Sequence, residues 1–422
     1  MLVTRISPED FPVQDNLFQT AFWGGFKTAC GQQAVFFLCG FDDAATPDVG
    51  ESCGGESCVA ASCVADSCVA ASCGGRRFVP LLVLLRNTGA GIPYAYVPKA
   101  PAFTVKEDRY GSVLEALAER IRPFLPDGTA FVRFDTAWFS PYAGTAVPRS
   151  EIREMRMNFG TNTRNLRKAG SDHFCPDTVL VDLTASPEIM LSRMRQTTRN
   201  AIRKSYRMGV SFSRKNADFL PVWHDLYRDT GLRKGFFTEE LAYFETLFRQ
   251  SAKIGRLFFK QTASPHEDCG KGPPYAPLSG SKLMSANPGR MPVSAPVPEP
   301  ELYLLAAEKD EVLLAGLILA VCGKSAYYLF AGSRADAGPY MASYGLQWEA
   351  MLAARRAGCV TYDLLGIPPN NDKNHPMSGL YTFKTGLGGA VVRYCGCWDY
   401  PYDEDSYNRF RTAETLMGLP GL

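Results

Sequence analysis

The sequence predicts two domains of the mixed α/β or α+β class. The chain has 422 residues, enough for two or three domains of about 100–200 residues each. Apolar residues make up 46% and charged residues 21%, as in globular proteins, which excludes a disordered, collagen-like or coiled-coil chain. Strand-like and helix-like runs alternate, and both halves of the chain contain a helix followed by a strand. This recurrence suggests two copies of one α/β unit.

A low-complexity segment interrupts the first half of the chain. Residues 51–75 form a degenerate pentapeptide repeat with a cysteine at every fifth position, between strand-like runs at 34–41 and 78–85. A hairpin tip tolerates such an insertion, because the entropy of loop closure grows only logarithmically with length. We therefore expect the repeat to be a loop outside the active site. The chain has 13 cysteines and 4 histidines but no CxxC pair or zinc-type spacing, so we expect no metal site.

A helix over 187–208 has a clear start and stop. Ser186 is placed as its N-cap, Pro187 at the first helical position, and Gly209 after its end. Residues 191–215 include eight basic residues and no acid, with arginines at 195, 199, 203 and 207. On one helix these arginines would form a stripe about 18 Å long, at 1.5 Å per residue. The stripe suits the successive phosphates of an RNA such as tRNA, and a solvated helix face explains it equally well.

The remaining elements follow from apolar periodicity and turn residues. Further strands are predicted at 129–134, 178–183, 257–260, 301–307, 312–321, 326–330 and 360–365, and further helices at 112–123, 238–250 and 340–357. A second insertion, 262–300, is rich in Pro, Gly and Ser and lies between two of these strands. We expect it also to extend a hairpin loop.

Charge and hydropathy favour a cytoplasmic protein. The net charge is +2, so no global field draws the chain to nucleic acid or membrane, and any anion site must be local. Residues 1–19 contain no apolar core of a signal peptide. The longest apolar run, 312–322, is much shorter than the ~20 residues of a membrane span.

Common catalytic motifs are absent: the sequence has no GxxxxGK[ST], GxGxxG, GxSxG or HExxH. The segment richest in polar and glycine residues is 360–389, where a strand ends near Asp363 and a Pro/Asn loop follows. Lys384 lies there beside aromatic residues, and three glycines follow it closely. This setting can place a single cation at a ligand.

At these residues the chain resembles the FemAB/FemX peptidoglycan aminoacyltransferases, non-ribosomal peptidyltransferases that use aminoacyl-tRNA. The most specific match is the order of 344–349, 362–368 and 379–386, which ends in Tyr-Thr-Phe-Lys-Thr-Gly. Further matches lie at 19–27, 96–101, 131–135, 198–204 and 233–236. The chain has Lys234 where the family usually has Asp, and Ala100 where it usually has Gly.

The resemblance implies two GNAT-like domains without a coiled-coil arm. The end of the chain would return to the first domain, which would comprise 1–175 plus 391–422. The second domain would comprise 176–390.

The resemblance also implies a reaction: transfer of an amino acid from aminoacyl-tRNA to the side-chain amine of a muramyl pentapeptide. The acceptor would be UDP-linked or lipid-linked, and the second form would bring the protein to the inner membrane face. Aminoacyl-tRNA would be a co-substrate, with no other cofactor, and the protein would be a monomer. Aminolysis of an activated ester needs positioning and a cation rather than a catalytic triad.

Roles for individual residues follow from the same resemblance. Lys384 would stabilise the oxyanion, with Phe383 shaping the pocket. Asp135 could accept or relay the proton of the amine, a carboxylate of the substrate could do so instead, or Asp135 could simply end a strand. The remaining site residues would be Lys27, Arg233, Trp23 and Lys99 for the muramyl substrate, and Arg195, Arg199 and Arg203 for tRNA.

Two other functions compete with this interpretation. An acyl-CoA-dependent GNAT N-acyltransferase would need a pyrophosphate loop of the type Arg/Gln-x-x-Gly-x-Gly/Ala, and the sequence contains none. A non-catalytic protein that binds a cell-wall precursor or tRNA is the second alternative, and the presence of Lys384 argues against it.

Overall fold

The computed structural model describes residues 1–42, 71–73, 76–88, 91–140, 142, 149–262, 299–369, 373–375 and 377–417. Most of the cysteine repeat and nearly all of the second insertion lie outside the described residues, so the loop expected for most of the repeat stays a prediction. Three residues of the repeat, Ala71–Cys73, pair with the strand that follows it.

The described strands form two sheets. The first contains β1 (Leu2–Ile6), β2 (Gln33–Asp42), β3 (Ala71–Cys73), β4 (Arg76–Asn87), β5 (Pro93–Val97), β6 (Phe131–Asp135), β7 (Arg167–Lys168) and β15 (Cys397–Pro401). The second contains β8 (Asp177–Asp182), β9 (Ser211–Lys215), β10 (Glu301–Lys309), β11 (Val312–Cys322), β12 (Ser325–Ser333), β13 (Thr361–Asp363) and β14 (Ala390–Arg393).

The described helices cover the two sheets. They are α1 (Ala21–Ala29), α2 (Tyr110–Ile121), α3 (Ser150–Met157), α4 (Pro187–Arg193), α5 (Gln196–Arg207), α6 (Leu220–Lys234), α7 (Leu241–Thr262), α8 (Ala342–Arg356), α9 (Ser378–Thr385) and α10 (Glu404–Met417). None of the helices that the structure describes combines the length and the apolar character needed to cross a bilayer.

The two sheets repeat one topology, which confirms the predicted α+β fold of two GNAT-like units. In the first sheet β1, β2, β4 and β5 are antiparallel neighbours, and β6 then lies parallel to β5 after helix α2. In the second sheet β9 to β12 are antiparallel neighbours, and β13 lies parallel to β12 after helix α8. The antiparallel partner of β6 is β15, and that of β13 is β8. The end of the chain therefore completes the first sheet.

The predicted boundary between the domains, at 390/391, falls inside a strand. β14 pairs with β8 in the second sheet, so all four of its residues belong there. The return to the first sheet comes a few residues later, with β15.

The predicted helix over 187–208 is wrong in its continuity. Ser186 Oγ accepts a hydrogen bond from the Ile189 N–H, as an N-cap does, but Met194 is extended and α5 begins only at Gln196. The Arg195 N–H donates to the carbonyl oxygen of Gly386 at 3.0 Å, and the Met194 side chain is buried. Packing against this distant segment therefore outweighs local helix propensity.

The predicted strand at 257–260 is also wrong, because helix α7 continues to Thr262. A short apolar run does not distinguish a strand from a buried helix by periodicity. The second insertion therefore follows a helix instead of a hairpin strand. Helix α7 buries Phe244 and Leu247 in the core, so it is packed on the body of the protein and is not an arm.

A buried ion-pair network fastens the end of the chain to the first sheet. The Arg133 guanidinium on β6 is fully buried and donates to both carboxylate oxygens of Asp399 on β15, at 2.7 and 2.8 Å. It also donates to Glu414 on α10 at 2.7 Å. Removing one member leaves a buried charge without its partner, which strongly destabilises a protein.

We therefore expect Asp399→Asn to lower the free energy of unfolding by about 3–5 kcal/mol, measured by chemical denaturation. The control is Glu404→Gln, which removes an exposed partner of Arg167 at 3.7 Å and should cost less than about 1 kcal/mol. Equal losses in the two variants would show that the network does not hold the C-terminal segment.

Candidate functional site

A cleft of about 1000 Å³ lies between the two units. One wall comes from the first unit, with the start of α2, helix α3 and the chain around Lys168 and Trp398. The other wall comes from the second unit, with the loop 366–369, the start of α9 and Arg393. Neither unit forms the cleft alone.

Lys384 lies directly behind the wall of this cleft. It belongs to the last turn of α9, is 6% exposed, and donates from Nζ to the carbonyl oxygens of Leu365 at 3.2 Å and Gly366 at 2.8 Å. Gly366 itself lines the cleft. Burial lowers the pKa of Lys384 to about 8, while the nearby carboxylate of Asp363 opposes this change. The lysine is therefore a desolvated cation that is hydrogen-bonded to a residue of the cleft wall.

Asp363 shapes the loop that holds this lysine, and sequence reasoning did not assign it to the site. Leu365 has a φ of +54°, in the left-handed region that a residue with a side chain rarely adopts. The Leu365 N–H donates to Asp363 Oδ1 at 2.8 Å, and the Thr178 hydroxyl donates to the same oxygen. Burial raises the pKa of Asp363, and the charges of Lys99 and Lys384 oppose that rise. An aspartate that ends a strand before a glycine was the available signal.

Lys99 and Asp135 form an ion pair beside the Tyr394 ring. Lys99 Nζ lies 3.1 Å from Asp135 Oδ1 and 4.2 Å from the centroid of the Tyr394 ring. Asp135 is fully buried, and its Oδ2 accepts from the Tyr96 hydroxyl at 3.2 Å and from the Phe174 N–H at 3.1 Å. Neither Lys99 nor Asp135 is among the residues that line the cleft, although Tyr394 is.

Cys175 lies within electrostatic range of both Lys384 and Lys99. It lines the cleft, and although burial raises the pKa of its thiol, the charges of Lys384 and Lys99 both act against that rise. The structure thus brings Lys384, Lys99 and Asp135 together, although they come from three separate motifs.

Lys27 and Trp23 lie together in a different place, on α1 under helix α7. Lys27 Nζ is 5.0 Å from the centroids of the Trp23, Phe26 and Tyr243 rings, and it donates to the Tyr243 hydroxyl at 3.1 Å. Burial, and to a smaller extent the charge of Arg86, lowers the pKa of Lys27 to about 8. Neither Lys27 nor Trp23 lines the cleft.

Arg86, which sequence reasoning missed, lies within electrostatic range of Lys27 and against Tyr96, the residue that bonds to Asp135. Its guanidinium lies 4.3 Å from the centroid of the Tyr96 ring, and the Tyr96 hydroxyl donates to Asp135.

Arg233 and Phe383 also lie outside the residues that line the cleft. Arg233 is exposed near the C-terminus of α6 and donates to the carbonyl oxygen of Ser333. The Phe383 ring packs edge-to-face on Tyr344, with centroids 4.8 Å apart, against the core of the second unit. Its side chain therefore supports the fold around α9.

The predicted arginine stripe follows α5, because Arg195 is the N-cap of this helix and its carbonyl oxygen accepts from the Arg199 N–H at 3.0 Å. The Arg195 guanidinium donates to the hydroxyl of Thr385, next to Lys384, at 3.0 Å. The Arg199 guanidinium is occupied by the carbonyl oxygens of Ser192 and Met194 at the end of α4. Arg203 is exposed on α5. Arg199 therefore has a structural role, whereas Arg195, Arg203 and Arg207 of the stripe are exposed.

In the described ranges, no three His, Cys, Asp or Glu side chains come close enough together to hold a metal ion.

Comparison with known proteins adds the family and the fold. The family model for the FemAB family matches residues 81–254 and 303–415, well over half of the chain. The solved structure described as the crystal structure of FemX superposes with a TM-score of 0.62 and 15% identity, over 97% of this chain and 100% of that chain. This likeness shows that the two proteins share a fold.

Two curated relatives are lipid II:glycine glycyltransferases. The one from Staphylococcus epidermidis is 26% identical over 247 residues, which cover 55% of this chain and 59% of the relative. The one from Staphylococcus haemolyticus is 26% identical over 250 residues, which cover 54% of this chain and 59% of the relative. The matched part is thus under two thirds of the length of these curated relatives. Together with two units of one topology, the extent of the family match shows that this chain belongs to the FemAB family.

Proposed function

We propose that the protein transfers an aminoacyl group to the side-chain amine of a peptidoglycan stem peptide, forming an interpeptide bridge or branch. The observation that carries the proposal is Lys384, a buried cation whose Nζ lies 2.8 Å from the carbonyl oxygen of Gly366 in the cleft wall. Membership of the FemAB family supports it. The names of the staphylococcal relatives favour a glycyl group and a lipid-linked acceptor over a UDP-linked one.

The proposed donor is aminoacyl-tRNA, with no other cofactor. The amine nitrogen attacks the ester carbonyl carbon, a tetrahedral oxyanion forms, and the bond to the ribose oxygen breaks. An ester is already activated, so the site has to supply position and charge rather than a nucleophile. We place the protein in the cytoplasm as a monomer that contacts the inner membrane face when its acceptor is lipid-linked.

Lys384 supplies the charge in this proposal. An ammonium group in a desolvated setting stabilises a developing oxyanion more strongly than it would in water, because the effective dielectric constant is lower. Two backbone carbonyls hold its Nζ at the wall, so little reorganisation is needed when the oxyanion forms.

Asp135 acts through Lys99. The amine must lose a proton before or during attack, since its reference pKa is about 10.4. Asp135 is fully buried and its Oδ1 lies 3.1 Å from Lys99 Nζ, so in a relay the Lys99 ammonium gives a proton to Asp135 and the resulting neutral Lys99 amine takes the proton of the substrate amine. A carboxylate of the acceptor itself remains the other candidate base.

Lys27, Trp23 and Arg233 are proposed to bind the diphosphate end of the acceptor. Lys27 provides a partly buried cation among aromatic rings, and Arg233 an exposed guanidinium suited to phosphate. Since none of the three lines the cleft, the diphosphate has to lie outside it.

The tRNA site is proposed at Arg195 and Arg203. Arg195 contacts Thr385, so a phosphate bound there would lie beside the helix that carries Lys384.

The acyl-CoA alternative has less support. Helix α2, which follows β5 and is the place for a pyrophosphate loop in the first unit, is preceded by the acidic pair Glu107 and Asp108. In the second unit the turn before α8 contains Asp336 and Pro339. The exposed carboxylates before α2 repel a pyrophosphate, whereas the charge of Asp336 is neutralised by its ion pair with Arg334.

Lys384→Met is expected to lower kcat by about 100- to 1,000-fold and to leave KM for the acceptor nearly unchanged, because the oxyanion exists only in the transition state. Arg233→Ala should instead raise KM with a smaller effect on kcat. Steady-state kinetics with aminoacyl-tRNA and a muramyl pentapeptide measure both. Lys324→Met, which removes an exposed lysine from the β11–β12 turn, is the control. Normal turnover by Lys384→Met, or a defect confined to KM, would remove Lys384 from catalysis.

The pH dependence of kcat provides a second test. With a pKa of about 8, Lys384 is a cation below that pH and neutral above it, so its contribution is lost as the pH rises through 8. Lys384→Arg keeps its charge at high pH. The amine substrate titrates identically with both enzymes, so the ratio of wild-type to Lys384→Arg activity should fall between pH 7 and 9. A constant ratio would show that the charge of Lys384 is not required.

Arg195→Gln combined with Arg203→Gln should weaken tRNA binding and reduce the slope of log K against log[salt] by about one unit for each lost phosphate contact. A filter-binding series from low to moderate salt measures the slope. The matched control replaces Arg355 and Arg356, two exposed arginines at the end of α8, with Gln. If the two double variants show the same affinity and slope, the stripe is a solvated face.

A further inference from the structure

Arg393 has a buried guanidinium that the proposed mechanism does not use. It ends β14, is 8% exposed, and lines the cleft. Its Nε donates to Asp177 Oδ1 at 2.8 Å, whereas its Nη1 is buried and has no hydrogen-bond partner among the described residues. Buried N–H groups in native proteins are almost always paired, and leaving one unpaired is unfavourable. An unpaired donor in a cleft wall indicates a ligand acceptor.

The opposite wall of the cleft offers a second donor of the same kind. Arg153 on α3 lines the cleft, and its Nε is also buried without a partner in the part of the chain that the structure describes. Guanidinium groups match a planar carboxylate through two parallel N–H···O bonds. Each unit therefore contributes to the cleft lining an arginine with a buried N–H that has no partner among the described residues.

The remaining charges of the cleft favour a peptide over RNA. Both signs are present among the lining residues: basic Arg153, Arg156, Lys168 and Arg393, and acidic Glu107, Asp108, Asp172 and Asp177. An RNA strand is negatively charged at every nucleotide, so the acidic side chains would repel it. A stem peptide carries an amine as well as carboxylates, so it suits a wall of mixed charge.

We propose that Arg393, together with Arg153, binds a carboxylate of the stem peptide. This contact would hold the acceptor while its amine reaches the part of the cleft wall behind which Lys384 lies. This inference rests on the proposed function and names the substrate group that the cleft recognises. The diphosphate is assigned to Lys27 and Arg233 outside the cleft, which leaves the carboxylates of the pentapeptide, and we assign its C-terminal carboxylate as the partner. Cys175 and Gly366 line the same cleft beside Lys384, so one peptide can reach both places.

The test is calorimetric binding of three probes without donor: a muramyl pentapeptide, its C-terminal amide, and its diphosphate form. The wild-type protein should bind the acid about 10- to 100-fold more tightly than the amide, as expected for a charged hydrogen bond. Arg393→Met should abolish this preference. Because that change leaves Asp177 without its partner, the double variant Arg393→Met with Asp177→Asn is measured as well.

Two controls separate recognition from folding. Asp177→Asn alone keeps the guanidinium and should keep the preference for the acid. Arg228→Met removes an exposed arginine on α6 that does not line the cleft, and it should change nothing.

Three results would overturn the inference. The first is an unchanged acid-to-amide ratio in both Arg393 variants. The second is a loss confined to the diphosphate probe, which would make Arg393 a phosphate site. The third is that the Arg393 variants bind an aminoacylated RNA fragment more weakly than the wild type but bind the muramyl pentapeptide equally well. That result would make the cleft an RNA site. A wild-type protein that neither binds nor modifies any of the three probes would instead refute the proposed function itself.

Discussion

The candidate site depends on an apolar core that the two units share. Phe18 and Phe26 of the first unit lie in one cluster with Trp223, Phe244 and Tyr327 of the second, and all five are buried. Full burial contributes about 1.5–3 kcal/mol for a side chain such as Phe, so this cluster holds the two units in one relative position. Because the cleft has one wall from each unit, the same cluster determines the width of the cleft and the separation of its charged groups.

The lysine behind the cleft wall is costly to bury. A fall in the pKa of Lys384 from 10.5 to about 8 corresponds to roughly 3 kcal/mol of lost preference for the charged form. This figure already includes the opposing charge of Asp363, which also fixes the turn that presents two carbonyl oxygens to the Lys384 Nζ. The same desolvation makes the cation effective toward a developing negative charge. Stability is thus given up where the proposed chemistry needs an electrostatic contact.

Several features could be predicted from the sequence because they depend on neighbouring residues. Ser186 caps α4 as predicted, and the apolar run that becomes β11 forms a buried central strand of the second sheet. The family could be recognised because the segment 379–386 keeps its order of aromatic, lysine and glycine residues. The recurrence of helix and strand in the two halves predicted the duplicated topology. In each case the information lies within a few residues, where propensity, capping and motif order act.

Only the tertiary structure decided which distant residues meet. The predicted helix over 187–208 divides because Arg195 bonds to Gly386, far along the chain, and no local signal shows that contact. Lys99 pairs with Asp135 because β5 and β6 are parallel neighbours in the first sheet, and Arg153 lines the same cleft as Arg393 only because the two units pack together. The sequence by itself determined the elements, the family and the individual candidate residues. The ion pairs are long-range because each joins strands that are far apart in the sequence, and the cleft is long-range because it needs both units to be in place.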